Sequence, residues 1–295
     1  MATEPQTSAL AGRIHPDTRI GSVHLTVRDL SRSRDFYERV LGLRVSERES
    51  GSLALSAAGG PVLIELHGDS KAPPLDPRAT GLFHQALLMP TRRDLALALG
   101  RLAQTRWPLS GASDHLVSEA LYLSDPDGNG IEIYRDRPRE QWPRRSGTIE
   151  MATLPLDLDD LLGELSAGEA IADGAPAGTT IGHVHLQVAE LRDIGAFYSG
   201  VLGFDVIVRT YPGALFVSAG GYHHHVGLNT WHSAGSPPPP AGTVGLRYYE
   251  VLVPDANELN RVLARIAAAD IAVEVNEAGA FVRDPSGNGV LLRPA

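Results

Sequence analysis

Glu132 is a carboxylate inside a stretch that otherwise has the pattern of a buried β-strand. It stands between Ile131 and Ile133 in "LYLSDPDGNGIEIY" at 121–134. Two alternating apolar segments flank the turn "DPDGNG", and this arrangement predicts a β-hairpin. A buried carboxylate without a partner costs several kcal/mol or takes up a proton. Glu132 therefore needs a partner or must face water.

Two histidines lie in similar strand-like segments. His24 lies in "VHLTV" and His84 in "HQALLM". Alternation places His24 on the same face as Ser22 and Thr26, while the valines and leucine between them point to the other side. Two imidazoles and one carboxylate, with positions left open, form a ligand set for a divalent transition metal. As a third ligand beside the two histidines, Glu132 would be tolerated in its strand.

The chain contains a long internal repeat. Residues 20–45, "IGSVHLTVRDLSRSRDFYERVLGLRV", match residues 181–206, "IGHVHLQVAELRDIGAFYSGVLGFDV", at an offset of about 160 residues. The closing hairpin also recurs, as "FVRDPSGNGVLLRP" at 281–294, where Leu291 takes the place of Glu132. A repeat of this length predicts a duplicated domain rather than a solenoid.

Each copy reads as a strand, a helix and several strands, followed by the same series again. We therefore predict an α+β fold of tandem paired βαβββ units, with two similar domains that each form a curved mixed sheet. The predicted segments are an N-terminal tail at 1–16, a first domain at 17–137, a linker with one short helix at 138–178, and a second domain at 179–295.

This pattern resembles the vicinal oxygen chelate superfamily over nearly the whole chain. The superfamily folds paired βαβββ units into a cup, and its metal-dependent members bind a divalent ion inside. It includes glyoxalases, fosfomycin-resistance enzymes, metal-free drug-binding proteins and extradiol ring-cleavage dioxygenases. The strands of His24, His84 and Glu132 carry the ligands in this superfamily, so the resemblance implies a metal held by these three in the first domain.

The second copy lacks most of this set. His185 corresponds to His24, but Tyr248 replaces His84 and Leu291 replaces Glu132. One histidine cannot hold a metal, so we predict a degenerate, structural second domain and leave the role of His185 open. The second copy also contains three consecutive histidines, His223, His224 and His225. Adjacent strand residues alternate sides, which favours packing or a domain interface over a metal cluster.

The stretch "DHLVSEALYLSDPDGNGIE" at 114–132 resembles the signature of extradiol dioxygenases and departs from it only at Ser113. The resemblance implies that His115 and Tyr122 hydrogen-bond the oxygens of a substrate or intermediate. It also implies that His67, on the strand before the second histidine ligand, is an acid/base. In the second copy Glu274 and Phe281 stand in place of His115 and Tyr122.

The closest resemblance is to two-domain catechol 2,3-dioxygenases, although the better-known branch holds iron in its C-terminal domain. It implies extradiol cleavage of a catechol or substituted catechol by O2 at Fe(II), with Mn(II) also suited to the ligands. Two alternatives stay open on the same fold. One is a metal-dependent glyoxalase-type lyase or thiol transferase, and the other is a non-catalytic small-molecule binding (resistance) protein.

Composition excludes several other classes. The 295 residues carry a net charge of −9 and no long basic run, which argues against nucleic acid or an anionic membrane as a partner. The absence of cysteine excludes disulfides and thiolate chemistry. Without a long apolar stretch or a secretion signal, we expect a cytoplasmic protein, and the sequence leaves a homo-oligomer open.

Overall fold

The computed structural model describes residues 12–48, 51–166, 168–171 and 174–295. Its first half contains two successive βαβββ units, as predicted. The first unit comprises β1 (Arg19–Val27), α1 (Leu30–Arg39), β2 (Arg44–Arg48), β3 (Ser52–Ser56) and β4 (Val62–Gly68). The second comprises β5 (Gly81–Leu88), α2 (Arg92–Thr105), β6 (Gly111–Asp114), β7 (Ser118–Ser124) and β8 (Gly130–Asp136).

A connector leads to the second half. It contains a 3₁₀ turn (Arg139–Gln141), the short strands β9 (Arg144–Arg145), β10 (Thr148–Ile149) and β11 (Leu154–Pro155), and the predicted short helix, α3 (Leu158–Leu162). The third unit comprises β12 (Thr180–Gln187), α4 (Leu191–Gly195) with a π-helical turn (Ala196–Val201), β13 (Asp205–Val208), β14 (Ala214–Ser218) and β15 (Val226–Asn229). The fourth comprises β16 (Gly245–Val253), α5 (Ala256–Ala268), β17 (Glu274–Asn276), β18 (Gly279–Arg283) and β19 (Gly289–Pro294).

The predicted N-terminal tail lies partly outside the described residues, because 1–11 are not among them. The described part packs against the second copy of the repeat. Ile14 is buried, and its backbone N–H donates to the carbonyl oxygen of Gly203 at 2.8 Å. This end of the predicted tail is therefore part of the folded body.

The units form two mixed sheets, and both sheets draw on both copies of the repeat. The eight-stranded sheet has the order β17-β18-β19-β16-β1-β4-β3-β2, and the nine-stranded sheet has the order β11-β6-β7-β8-β5-β12-β15-β14-β13. At their centres β1 pairs antiparallel with β16, and β5 pairs antiparallel with β12. The first unit therefore joins the fourth and the second joins the third. This corrects the expectation that each copy forms its own sheet.

The pairing across copies has a physical reason. The opening strands of the four units have nearly the same alternation of apolar and polar residues, so their patterns do not specify which two pair. That choice depends on tertiary packing and on the path of the connector. Repeat boundaries are visible in the sequence, whereas spatial partners are not.

Alternation gives each central strand one apolar and one polar face. Val23 and Leu25 of β1 share a single buried core with Val184 and Leu186 of β12 and with residues of the helices. The intervening residues, such as His24, point to the opposite side of their sheet. Polar side chains on adjacent strands thus gather on the face away from the core.

A buried aspartate holds the turn between β7 and β8. Asp125 Oδ1 accepts the backbone N–H groups of Asp127 and Asn129, both at 2.9 Å, and Oδ2 accepts the Tyr37 hydroxyl at 3.1 Å. Burial raises the pKa of Asp125 despite these donors. The turn fixes where β8 begins, and so it sets the register that positions Glu132.

Gly130 allows β8 to approach β5 closely. A Cβ added there would lie 2.0 Å from the carbonyl oxygen of Phe83. Gly130→Ala is expected to lower the free energy of unfolding by about 2 to 4 kcal/mol, because the strands must separate. Urea unfolding measures the change. Gly200→Ala is the control: its new Cβ meets nothing within 4 Å, and its effect should stay below about 1 kcal/mol. Equal stabilities of the two variants would contradict this close approach.

Candidate metal centre and cavity

Three buried side chains meet on adjacent strands of the nine-stranded sheet. His84 lies on β5, Glu132 on β8 and His183 on β12, in the strand order β8-β5-β12. Glu132 Oε2 lies 2.9 Å from His84 Nε2 and 3.0 Å from His183 Nε2. The exposed fractions of the three side chains are 8%, 4% and 1% in chain order. Their three ligand atoms lie within 4.8 Å of one another.

The protonation states of this group suit ligation. Burial alone would raise the pKa of Glu132, but the neighbouring imidazoles of His183 and His84 hold it well below its ordinary value. Burial lowers the pKa of His183 more than Glu132 raises it. An ionised carboxylate and a neutral imidazole are the forms that bind a divalent metal.

Two buried nitrogens show how well the group fits an ion. His84 Nε2 lies close to Glu132 yet makes no aligned hydrogen bond, and His183 Nδ1 also lacks a partner. A buried polar atom without a partner is costly. Of the contacts among the three side chains, only that between His183 Nε2 and Glu132 Oε2 has hydrogen-bond geometry, and a bound ion would take its place. The structure therefore contains a buried His-His-Glu group suited to a divalent metal.

His115 and Tyr122 form a pair beside this group. His115 Nδ1 lies 2.7 Å from the carbonyl oxygen of Ala152, and Nε2 lies 2.6 Å from the Tyr122 hydroxyl. A carbonyl only accepts, so Nδ1 carries the proton and Tyr122 donates to Nε2. Tyr122 is paired in register with Glu132 on β8. Burial and then the charge of Glu132 raise the pKa of Tyr122, which therefore stays protonated.

His84 and Glu132 of this group line one cavity of about 500 Å³ together with His115 and Tyr122. Such a volume is typical of a site for a small organic molecule. Part of its wall comes from the connector, through Met151, Ala152 and Thr153. Its other lining side chains include His84, His115, Tyr122, Glu132, His185 and His224, with the aromatic rings of Phe83, Tyr211, Phe216 and Trp231.

His24 and His67, predicted to act at the same centre, lie in the other sheet. β1 and β4 carry them, and His24 Nδ1 is 3.3 Å from His67 Nε2. The structure thus brings together His84, Glu132, His115 and Tyr122 and leaves out His24 and His67. The buried group contains two of the three predicted ligands, His84 and Glu132, and its third member is His183 rather than His24.

The two sheets show what the sequence comparison missed. The match of "IGSVHLTV" to "IGHVHLQV" aligns His24 with His185, and it aligns His183 with Ser22. Alternation places His183 and His185 on the same face of β12. The second histidine in "GHVH" could have identified His183 as a candidate metal ligand. It was passed over because each copy of the repeat was expected to bind a metal with its own residues alone.

His223, His224 and His225 make different contacts. His223 Nε2 lies 2.8 Å from Asp136 Oδ1, and its Nδ1 lies 2.8 Å from His224 Nδ1. The ring of His224 packs on that of His183, with centroids 4.0 Å apart. These are packing contacts, but strand alternation does not apply to the three histidines, because they lie in the loop before β15.

His225 makes folding sensitive to acid. Its Nδ1 accepts the backbone N–H of Ala219 at 3.1 Å and lies 3.0 Å from Ser218 Oγ. Burial, then the charge of His223, lowers the pKa of His225 from 6.5 to about 3. Between these two pKa values the unfolded chain binds a proton at His225 and the native state does not. The contribution of His225 to the free energy of unfolding is therefore fully present above pH 6.5 and is lost as the pH falls toward 3.

Between pH 7 and pH 5, His225 alone should cost about 2 kcal/mol of unfolding free energy. His225→Asn keeps an acceptor for Ala219 but does not titrate. Urea unfolding at both pH values should give a smaller loss for the variant, by about that amount. An equal loss in both proteins would show that His225 titrates normally in the native state.

Comparisons with known proteins agree with this architecture. The sequence pattern of the Glyoxalase/Bleomycin resistance protein/Dioxygenase superfamily matches residues 19–133 and 180–292. A catechol-2,3-dioxygenase from Bacillus subtilis (strain 168) is 48% identical over 276 residues, which is 92% of this chain and 95% of that protein. No helix among the described residues is long and apolar enough to cross a membrane.

Solved structures share the fold at low sequence identity. A Bacillus subtilis protein provisionally described as a dioxygenase superposes with a TM-score of 0.62 and 15% identity, over 97% of this chain and 87% of that one. Glyoxalase I from Zea mays gives a TM-score of 0.58 and 14% identity, over 94% and 92%. The chain belongs to the Glyoxalase/Bleomycin resistance protein/Dioxygenase superfamily.

Proposed function

We propose that this protein is an Fe(II)-dependent extradiol dioxygenase that cleaves the ring of catechol or a substituted catechol with O2. The observation that carries the proposal is one cavity lined by the pair His115 and Tyr122 and by His84 and Glu132, which form a buried ligand group with His183. A relative named a catechol-2,3-dioxygenase, 48% identical over nearly the full length, supports the same reaction.

His84, Glu132 and His183 would hold the metal. Two imidazoles and a carboxylate with open positions are the ligands of non-haem Fe(II) oxygenases, and they also suit Mn(II). When bound, the ion supplies a centre that holds a catechol and O2 together and passes electron density between them. The protein keeps the three ligands buried and in the protonation states that bind a cation.

Tyr122 and His115 would handle protons and charge at the substrate oxygens. Tyr122 donates to His115 Nε2 at 2.6 Å, and the carbonyl of Ala152 holds the other ring nitrogen. A substrate hydroxyl at this point can pass a proton toward His115 through Tyr122. After that transfer the Tyr122 hydroxyl carries the proton from the substrate and can donate a hydrogen bond to the negative charge that develops on the substrate oxygen. His185 Nε2 is buried, lacks a partner and lines the same cavity, so it offers another contact to the substrate.

The cavity wall favours an uncharged aromatic substrate. Phe83, Phe216 and Trp231 supply ring faces and edges to a flat molecule. No lysine or arginine is among the described residues that line the cavity. A carboxylate on the ring would find no cation there. We therefore propose catechol and its alkyl or halogen derivatives as substrates, in preference to 3,4-dihydroxybenzoate.

Oxygen uptake tests the proposal. The protein is loaded with Fe(II) without air and mixed with catechol in aerated buffer, beside Glu132→Ala and the surface variant Glu140→Ala. We expect uptake and a yellow semialdehyde from the wild type and from Glu140→Ala, and neither from Glu132→Ala. Uptake should be much slower with 3,4-dihydroxybenzoate.

Two results would overturn the proposal. The first is bound iron with no uptake on catechol, hydroquinone or their methyl and chloro derivatives, which would leave the glyoxalase-type lyase or thiol transferase and the binding protein as readings. The second is uptake that survives in Glu132→Ala, which would place the reaction at another site.

A further inference from the structure

A second group of potential ligands lies on the eight-stranded sheet. His24 Nδ1 is 3.3 Å from His67 Nε2, which is 3.5 Å from Glu65 Oε1. One ligand atom from each of the three side chains lies within 4.8 Å of the other two. We propose that His24, Glu65 and His67 form a second metal site, which takes a borderline divalent ion such as Zn²⁺. This inference does not depend on the proposed ring cleavage.

The strand register produces the cluster. β1 and β4 are parallel, with His24 opposite Glu65 and Thr26 opposite His67. Glu65 and His67 are two residues apart, so they share the face of β4 that His24 occupies on β1. Strands lie about 4.8 Å apart, which lets the three side chains reach one ion. Two nitrogen ligands and one oxygen ligand, with room for water, are a common set for zinc.

His24 is oriented as a metal-binding histidine usually is. Its Nε2 lies 2.9 Å from Ser22 Oγ, and its ring stacks on Tyr248 with centroids 4.0 Å apart. A proton on Nε2, donated to Ser22, leaves the lone pair of Nδ1 facing Glu65 and His67. Such outer hydrogen bonds fix the tautomer of a ligand histidine.

The local charges permit a cation. Burial lowers the pKa of His24 to about 4 and lowers that of His67, so both rings are neutral near pH 7. Arg293 is paired with Glu250 at 3.0 Å. The exposed Arg247 opposes a bound cation, and the carboxylate of Glu65 offsets it.

This site differs from the one in the cavity by exposure and by position. The side chains of His67 and Glu65 are 27% and 23% exposed, well above those of the buried group. At the matching places in the nine-stranded sheet, Gly227 lies opposite His185 and Asn229 opposite Gln187. The second site is therefore not a remnant of the first, and its ion should exchange faster.

Zinc stoichiometry tests the proposal. The full chain is stripped with chelator and dialysed against Zn²⁺, and the bound metal is counted by elemental analysis. We expect two ions per chain in the wild type and one in His67→Ala, Glu65→Gln or Glu132→Ala. The double variant His67→Ala with Glu132→Ala should bind none. Brief exposure of the wild type to EDTA should remove one ion first, and that ion should be absent from His67→Ala.

His232→Ala is the matched control, since it removes a surface histidine outside the cluster and should leave two ions. Glu65→Gln keeps the shape of its side chain, and its circular dichroism spectrum should match that of the wild type. A single ion in the wild type that His67→Ala retains would overturn the proposal. A count of two that persists in both His67→Ala and Glu65→Gln would also overturn it.

Discussion

Replacing His183 with alanine should abolish both the binding of iron and the ring cleavage that we propose, although His183 lies in the other copy of the repeat from His84 and Glu132. Its Nε2 is 3.0 Å from Glu132 Oε2, inside the most buried ligand group of the described residues. Even outer-shell changes cost 10- to 100-fold in metal affinity, so loss of a ligand should lower kcat/KM by more than about 100-fold. Oxygen uptake with catechol and iron content measure the two effects.

His24→Ala tests whether His24 or His183 is the third metal ligand beside His84 and Glu132. His24 is the ligand that the family resemblance implied, but it lies on the other sheet. We expect this variant to keep its iron in the cavity and an uptake rate within about tenfold of the wild type. If His24→Ala loses iron and activity while His183→Ala keeps both, the pairing of units across the copies is wrong.

Metal binding should also stabilise the fold through His183. The three ligands join β8, β5 and β12, so a bound ion ties the second unit to the third. A ligand at 100 times its Kd adds about 2.7 kcal/mol to the free energy of unfolding. Fe(II) added without air should therefore raise the Tm of the wild type much more than that of His183→Ala. This readout does not depend on the substrate.

The sequence predicts the units and most of the site for local reasons. Alternation, helix caps and the "DPDGNG" turn are encoded within short windows, and they define βαβββ units without tertiary information. Glu132 and Tyr122 occur on the two strands of one hairpin, where their register follows from the turn. Their proximity is therefore readable from the chain itself.

His183 could not be predicted in the same way. Its place at the centre depends on β12 pairing with β5, and this contact joins residues about 100 positions apart. Each opening strand has the same apolar face, so each could serve as the partner of any other. The choice is made by packing over the whole molecule.

The connector was predicted only as a linker with a short helix. The carbonyl of Ala152 nonetheless fixes the tautomer of His115, and the side chain of Thr153 lines the cavity. A backbone carbonyl has no sequence signature. A contribution of this kind is visible only in the folded chain.

Removing the Tyr122 hydroxyl should slow turnover strongly without loss of the metal. Tyr122→Phe and His115→Ala are each expected to lower kcat by about 10² to 10⁴, the usual contribution of a positioned proton-transfer group. The two residues are 2.6 Å apart and act as one unit, so the double variant should be little worse than either single variant. Iron content should stay at the wild-type level in all three.

Tyr211→Phe is the control for the single and double variants of Tyr122 and His115. It removes a hydroxyl from the same cavity, but that hydroxyl lies 2.8 Å from Thr153 Oγ1 rather than beside His115. Its effect on kcat should be less than tenfold.

If the losses at Tyr122 and His115 multiply instead, the residues serve separate steps and no proton passes between them. His115→Gln distinguishes orientation from proton transfer, because glutamine offers Tyr122 an acceptor but does not take up a proton. Recovery of the rate in His115→Gln would assign His115 to holding Tyr122 in place.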